Sequence, residues 1–404
     1  MIVGPVGRVR PSRAESRRRG ALVPALLLAS ISVFPAFLIG AVSVQLRADL
    51  GLDRAELGSA VSAFFLSSAF TVARIGRIVD RIGERRSYLL GAGLAFISLL
   101  SIATLARGWV SLALSLAIGG IGNAVVGPAS SRILAHAIAR ERRGWAFGVK
   151  QAAIMGATLI GGAGVPLIAL QFGWRWVYGL SALLAVVVIA VAPTGGPGGD
   201  DDIDARHANQ RRGTLLLLAI AFGLGTSASV AMTTFLVDFT VLNGLSEARA
   251  ATLLSAGSVI VILLRLTLGW WCDHGLESVD GVIAALFVGG AAAVVVLPHV
   301  GVGRTLVVVA LCAFTGVWGW TGLLVYFVAV NNLRATGAAA GVLQTGAATG
   351  GILGPSLMGA IAEGVSYTAM WSTAAGLLFL AAIAVLGARR VEVGGGSDRR
   401  RDHG

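Results

Sequence analysis

Charge is what this chain most lacks. Only 13% of its 404 residues are charged, against 56% that are hydrophobic, whereas a soluble domain carries about 25% charged residues. A water-soluble globule is excluded on that ground, and a mean hydropathy of +0.82 points to lipid as the surroundings. Cysteine is nearly absent. Cys272 and Cys312 fall in or at the ends of apolar runs, and no CxxC or Cys/His cluster accompanies them. A disulfide framework, a metal site and a cofactor are therefore not expected. The five histidines are scattered, and neither HExxH nor GxSxG occurs, which argues against a membrane-embedded enzyme. Lysine occurs once, as Lys150, so arginine carries the net charge of +12; that bias hints at a GC-rich genome. The excess does not imply nucleic acid, because the basic residues form no soluble face. They lie in short blocks between apolar runs. The alternation over about ten residues that a membrane β-barrel needs is also missing.

What is present is long apolar sequence. Residues 87–106 and 281–300 hold stretches able to cross a hydrocarbon core about 30 Å thick. Twelve such runs can be counted, near 21–46, 55–78, 87–106, 109–135, 145–170, 174–192, 214–242, 247–271, 279–298, 303–330, 337–363 and 367–388. Lipid offers no partners to a bare backbone, so each run is expected to be a helix. The first follows six arginines and is too long for the apolar part of a signal peptide, so it reads as a retained span. The basic residues then fix orientation. With the N-terminus inside, the inner segments hold 25 of them and the outer loops six: Arg47, Arg54, Arg107, Arg175, Arg249 and Arg304. Both termini are expected in the cytoplasm.

The Gly-rich, acidic stretch 193–213 falls at mid-chain and reads as a linker. It separates a six-helix unit over 21–192 from another over 214–388, with cytoplasmic tails at 1–20 and 389–404. An internal repeat supports the division. A shift of 193 carries Gly51, Leu52 and Ala55 onto Gly244, Leu245 and Ala248, and Gly76 and Asp80 onto Gly269 and Asp273. The same shift carries Gly144, Gly148, Val149 and Gln151 onto Gly337, Gly341, Val342 and Gln344. Both copies of each motif fall on one side of the membrane, as two parallel halves about an axis along its normal require.

The stretch "GRIVDRIGERR", Gly76 to Arg86, packs six charges into eleven residues between the second and third runs. In that position it resembles the signature G-x-x-x-D-R-x-G-R of the major facilitator superfamily, matched by Gly76, Asp80, Arg81, Gly83 and Arg85. Glu84 stands where the family usually has arginine. The second-half copy "GWWCDH" keeps Gly269 and Asp273 but has His274 in place of arginine. The segment "RRGWAFGVKQAAIMG", Arg142 to Gly156, is similar to the fifth helix of bacterial cyanate-permease-like members. The antiporter pattern G-x-x-x-G-P is incomplete there, since the first proline is Pro166. The resemblance implies an all-α membrane protein of twelve helices in two pseudo-symmetric bundles. It further implies a monomeric secondary transporter in a bacterial cytoplasmic membrane, with a small solute, protons and lipids as partners. A proton-driven exporter of drugs or metabolites is the alternative, and a channel or sensor a more distant one.

The charged stretch Gly76 to Arg86 pins an inner loop, since each charge costs about 2.5–3.5 kcal/mol at the bilayer centre. As a gate, the motif would set Asp80 against the positive N-terminus of the eleventh helix. Cargo in this architecture binds near the midplane between the halves. Candidates there are Phe34, Phe37, Asn123, Thr233, Thr234, Trp318, Trp320 and Gln344, with Arg132, Lys150, Gln151 and Arg265 tilting the preference toward an organic anion. Asp238, late in the seventh run, is the candidate proton carrier; a wetted structural acid is the other reading.

Overall fold

The computed structural model describes residues 23–137, 143–192, 212–332 and 336–401. Within these, side chains are described except at 73–81, 128–137, 143, 144, 146, 147, 336, 337 and 392–401. The expected linker and N-terminal tail lie almost wholly outside the described residues, whereas the expected C-terminal tail continues the last helix as far as Arg401. Among the described residues the chain is helical, with no strand. In chain order the helices are α1 (Val23–Ile31 and Phe34–Leu50), α2 (Arg54–Ile82), α3 (Glu84–Leu105), α4 (Trp109–Ala137), α5 (Arg143–Gly164), α6 (Trp174–Ala190), α7 (Arg212–Leu242), α8 (Glu247–Asp273), α9 (Val279–Val296), α10 (Arg304–Gly319 and Thr321–Asn331), α11 (Thr336–Gly364) and α12 (Tyr367–Arg401). Among the described residues, nine spans are long and apolar enough to cross a membrane by length and composition, or ten if the broken α1 counts as one.

The breaks have sequence causes. The two pieces of α1 meet at 51°, where Pro35 opens the second piece and cannot donate back to the first. Past Gly164, α5 loosens into a π turn over Val165–Ala169 that contains Pro166, as helices do where a backbone bond is lost.

The helices form two bundles of like design. In the first, α3 packs on α4 and α6; in the second, α9 packs on α10 and α12. The turn after α1 and the turn after α7 show the repeat in atomic detail. Gly51 and Gly244 both take positive φ, at 65° and 92°. The next residue reaches back across the turn in each case: Leu52 N–H to the Arg47 carbonyl at 3.1 Å, and Leu245 N–H to the Thr240 carbonyl at 3.0 Å. Only glycine takes that left-handed conformation without strain, which is why the repeat keeps it.

Large apolar side chains such as Phe172, Leu183 and Phe379 face outward, as lipid requires. The central helices are instead buried. Of α7's apolar window, 78% is buried, and residues Phe34 to Ser43 of α1 are buried without interruption. These two helices touch where a Cβ on Gly40 would collide with the Thr233 carbonyl oxygen. α5 also meets α10, and α1 meets α8, but the most extensive other contacts between bundles are α2 with α11 and α5 with α8. A twofold that exchanges the bundles exchanges these two seams.

Candidate functional site

The two seams differ along their length. At the end carrying Gly51 and Gly244, α2 and α11 are packed backbone to backbone. A Cβ on Gly58 would strike the Pro355 carbonyl, one on Gly359 the Arg54 carbonyl, and one on Gly351 the Phe65 ring. Ser356 donates to Ser62 across the same seam at 2.7 Å. Gln344 lies seven residues before Gly351 and so on the same face of α11, yet it is exposed. Its helical neighbour Gly341 has open space around it. Opposite, Val72, seven residues beyond Phe65, is 48% exposed. The α2–α11 seam is thus shut at one end and parted at the other.

The α5–α8 seam is shut throughout. Near the Gly51 end, Ser255 donates to the Leu159 carbonyl at 3.0 Å. Gly148, the repeat mate of Gly341, is closed in: its Cβ would meet the Arg265 carbonyl oxygen at 2.7 Å. At the far end the Trp145 N–H donates to Asp273 Oδ2 at 2.9 Å. A carboxylate at the first turn of a helix is stabilised by the unpaired N–H groups there. The contact expected of Asp80 with α11 lies outside the described side chains; Asp273 with α5 is its counterpart under the shift of 193, with Gly269 beside Gly148. In the first copy, Gly76, Asp80 and Arg81 have side-chain positions outside the described residues. Gly83 takes φ 79° at the start of α3, and Arg85 is exposed.

A cluster of ion pairs closes the Gly51 end. Asp238, one turn before the end of α7, accepts from Arg47 of α1 at 2.7 Å. Its other oxygen accepts from Arg54, at the head of α2, at 3.1 Å, and from the hydroxyl of Tyr367, at the head of α12. Arg54 also donates to Glu363 of α11 at 2.9 Å and lies over the Tyr367 ring. Both cations come from the first bundle and both anions from the second. Asp238, the candidate proton carrier, sits between two guanidinium groups, with its side chain 6% exposed.

At the centre, several expected residues do converge. Arg265 of α8 is 3% exposed and donates to the Gln151 carbonyl of α5, to the Trp318 carbonyl and to the Thr321 hydroxyl. The last two flank the break in α10, so Arg265 serves acceptors that the helix does not fully use. Its guanidinium lies 5.8 Å from the centre of the Trp318 ring. That ring lies 5.6 Å from Phe37 of α1, and its N–H donates to Thr233 of α7 at 2.9 Å. Five helices thus meet around one buried cation. Lys150, half-buried, precedes Gln151.

Other expected site residues lie apart. Trp320 is fully buried in the second bundle between Phe222 and Phe287, at 5.0 and 4.8 Å, and so packs the core rather than facing cargo. Phe34 is likewise core, 1% exposed. Thr234 turns its hydroxyl to the Val230 carbonyl of its own helix. Asn123 ties α1, α2 and α4 through Ser32 and Ser68, each at 3.2 Å. The side chain of Arg132 lies outside the described residues. Reading the sequence missed Arg47, Arg54, Glu363 and Tyr367, since a basic residue near an outer loop reads as a topology marker. A signal did exist: the shift of 193 places Asp238 only two residues from the repeat mate of Arg47.

Comparison with known proteins agrees with this architecture. Residues 25–345 match the family described as the Major Facilitator Superfamily. The chain is 24% identical over 147 residues to the uncharacterised MFS-type transporter Rv1250 of Mycobacterium tuberculosis, covering 36% of this chain and 25% of the relative. It is 30% identical over 135 residues to the multidrug resistance protein MdtG of Dickeya zeae, covering 33% of this chain and 32% of the relative. The chain therefore spans about a quarter to a third of the curated relatives it matches. Apolar helices in two like bundles, a glycine-capped repeat and a family match over most of the sequence lead to one conclusion: this multi-pass membrane protein belongs to the Major Facilitator Superfamily.

Proposed function

We propose that this transporter is a secondary active carrier of a small organic anion in a bacterial cytoplasmic membrane, working by alternating access and driven by protons. One observation carries the reading: the α2–α11 seam is packed from Arg54 to Phe65 and parted around Gln344 and Val72. A pore would need no such one-ended closure. The distribution of arginines supports an outward-facing Gly51 end. The described state is then closed to the outside and parted toward the cytoplasm, and the Asp238 cluster is its outer latch. An anion is favoured because Arg265 and Lys150 stand at the centre.

Coupling follows from the latch. Charged Asp238 holds Arg47 and Arg54; a proton on it removes the charge that binds them. Acid outside then favours outward opening, and proton and cargo enter together. Uptake of a panel of radiolabelled small carboxylates into proteoliposomes, with and without an inward proton gradient, tests this. Gradient-driven accumulation that is lost in Asp238→Asn is expected. Accumulation indifferent to the gradient ends the coupling argument. Proton-driven export of drugs or metabolites is the second reading, supported by the partial likeness to a multidrug resistance protein. Efflux of a lipophilic dye that rises with the proton gradient would favour it.

A further inference from the structure

Arg265 is a buried cation with no counter-charge among the described residues. Among the described residues no carboxylate lies within ion-pair distance of it, and its three hydrogen-bond acceptors are all neutral. Its Nε–H is buried and has no partner at all. Buried charges in proteins are normally paired, and buried donors bonded. A purely structural clasp of α5 to the α10 break needs only the two terminal nitrogens. Neither the full charge nor the idle Nε–H is explained by that task.

Beside Arg265 is a small cavity of about 10 Å³, room for roughly one water. It lies between α5, α8 and α10, and four of its walls are Gly148, Gly269, Gly319 and Gly322, with Tyr326 beyond. Glycine walls let backbone come close to an occupant, while Leu268, Cys272 and Leu323 close the remaining sides. Arg265, which lines the cavity, also lies 5.8 Å from the ring of Trp318, whose other neighbour is Phe37 of the first bundle.

We infer that this pocket binds a monovalent anion, whose charge completes Arg265. The ligand is either the carboxylate head of a cargo molecule or a free halide; both offer one negative charge on a compact group. A doubly charged anion exceeds the single cation. This deepens the anion reading above and rests on it for physiological meaning, but its test is a binding measurement that needs no transport.

The purified full chain in detergent is followed by thermal unfolding at fixed ionic strength, with sodium sulfate as reference. Chloride, bromide, acetate and benzoate are titrated in its place. A saturable rise in Tm with at least one of them is expected, since a ligand that binds only the folded state stabilises it. Carboxylates alone raising Tm identifies a cargo head group; halides alone identify a separate ion. Arg265→Gln should weaken the response by about tenfold or more. Should that variant fail to fold, Gly322→Ala decides. Its new methyl would find its nearest neighbours at 3.9 Å, in ordinary contact, so the fold accepts it while the cavity is filled. It too should lose about tenfold in apparent affinity. No rise over sulfate with any of the four anions, or a rise that both variants keep, overturns the proposal. Solute flux in proteoliposomes without any anion response sinks the site and spares the carrier; a response without flux does the reverse.

Discussion

Asp238→Asn is the sharpest perturbation of the outer latch. It keeps the shape of the side chain and removes the charge that faces two guanidinium groups, at 2.7 and 3.1 Å. Removing one partner of a fully buried pair costs about 3–5 kcal/mol, and an exposed pair is worth about 0–1 kcal/mol. Here the carboxylate is 6% exposed and each arginine 18%, so about 2–3 kcal/mol is the fair middle. Spent on the closed form alone, that shifts the opening equilibrium about 30- to 150-fold. Ser62 reports it: it is 7% exposed and lies between α2 and α11 just below the latch. In a background with Cys272 and Cys312 replaced by alanine, Ser62→Cys is labelled with a membrane-impermeant maleimide from outside. Adding Asp238→Asn should accelerate labelling about 30-fold or more. Arg175→Ala is the control, because it breaks an exposed pair with Asp49 inside a single bundle and should leave the rate alone. Labelling that stays within about twofold of the parent would refute the latch.

Further expectations follow from packing. Gly40→Ala pushes a methyl into the Thr233 carbonyl, and overpacking of this kind should cost about 1–3 kcal/mol, seen as a lower Tm. Trp320→Ala empties a fully buried site between two phenylalanine rings and should cost about 3–5 kcal/mol, with loss of folded yield. Trp318→Phe forfeits the hydrogen bond to Thr233, about 1 kcal/mol, and trims the ring that meets Phe37 and Arg265; it should fold with a lower Tm and change apparent cargo affinity. Reporter fusions at the two termini should both read cytoplasmic, and opposite readings would discard the assigned orientation.

Much of the architecture was legible in the sequence, because lipid turns hydropathy into helices and the shift of 193 exposes the duplication. Gly51 and Gly244 are a case where the repeat could be read directly: identical letters, identical left-handed turns. The family reading from Gly76 to Arg86 agreed with the profile match at the level of the superfamily; the finer likeness to cyanate permeases has no counterpart among the relatives found. The site was legible only in part. Arg265, Gln151 and Trp318 stood out as polar or aromatic residues within spans, and they do meet. Trp320, two residues further on, points the other way, because neighbouring helical positions lie about 100° apart. A list of aromatic letters cannot separate them without knowing which face the core takes. The latch stayed hidden for another reason. Its five members come from five helices spread between positions 47 and 367, and no local pattern links them.

The end-to-end packing of α5 on α8 has one more consequence. With that side zipped and the α2–α11 side parted, the molecule gapes like a book held at its spine. Any solute leaving the midplane then passes along the fore-edge, past Gln344 and Val72, rather than through a round mouth. Bulk added there, for instance at Gly341, should throttle exit while leaving the spine untouched.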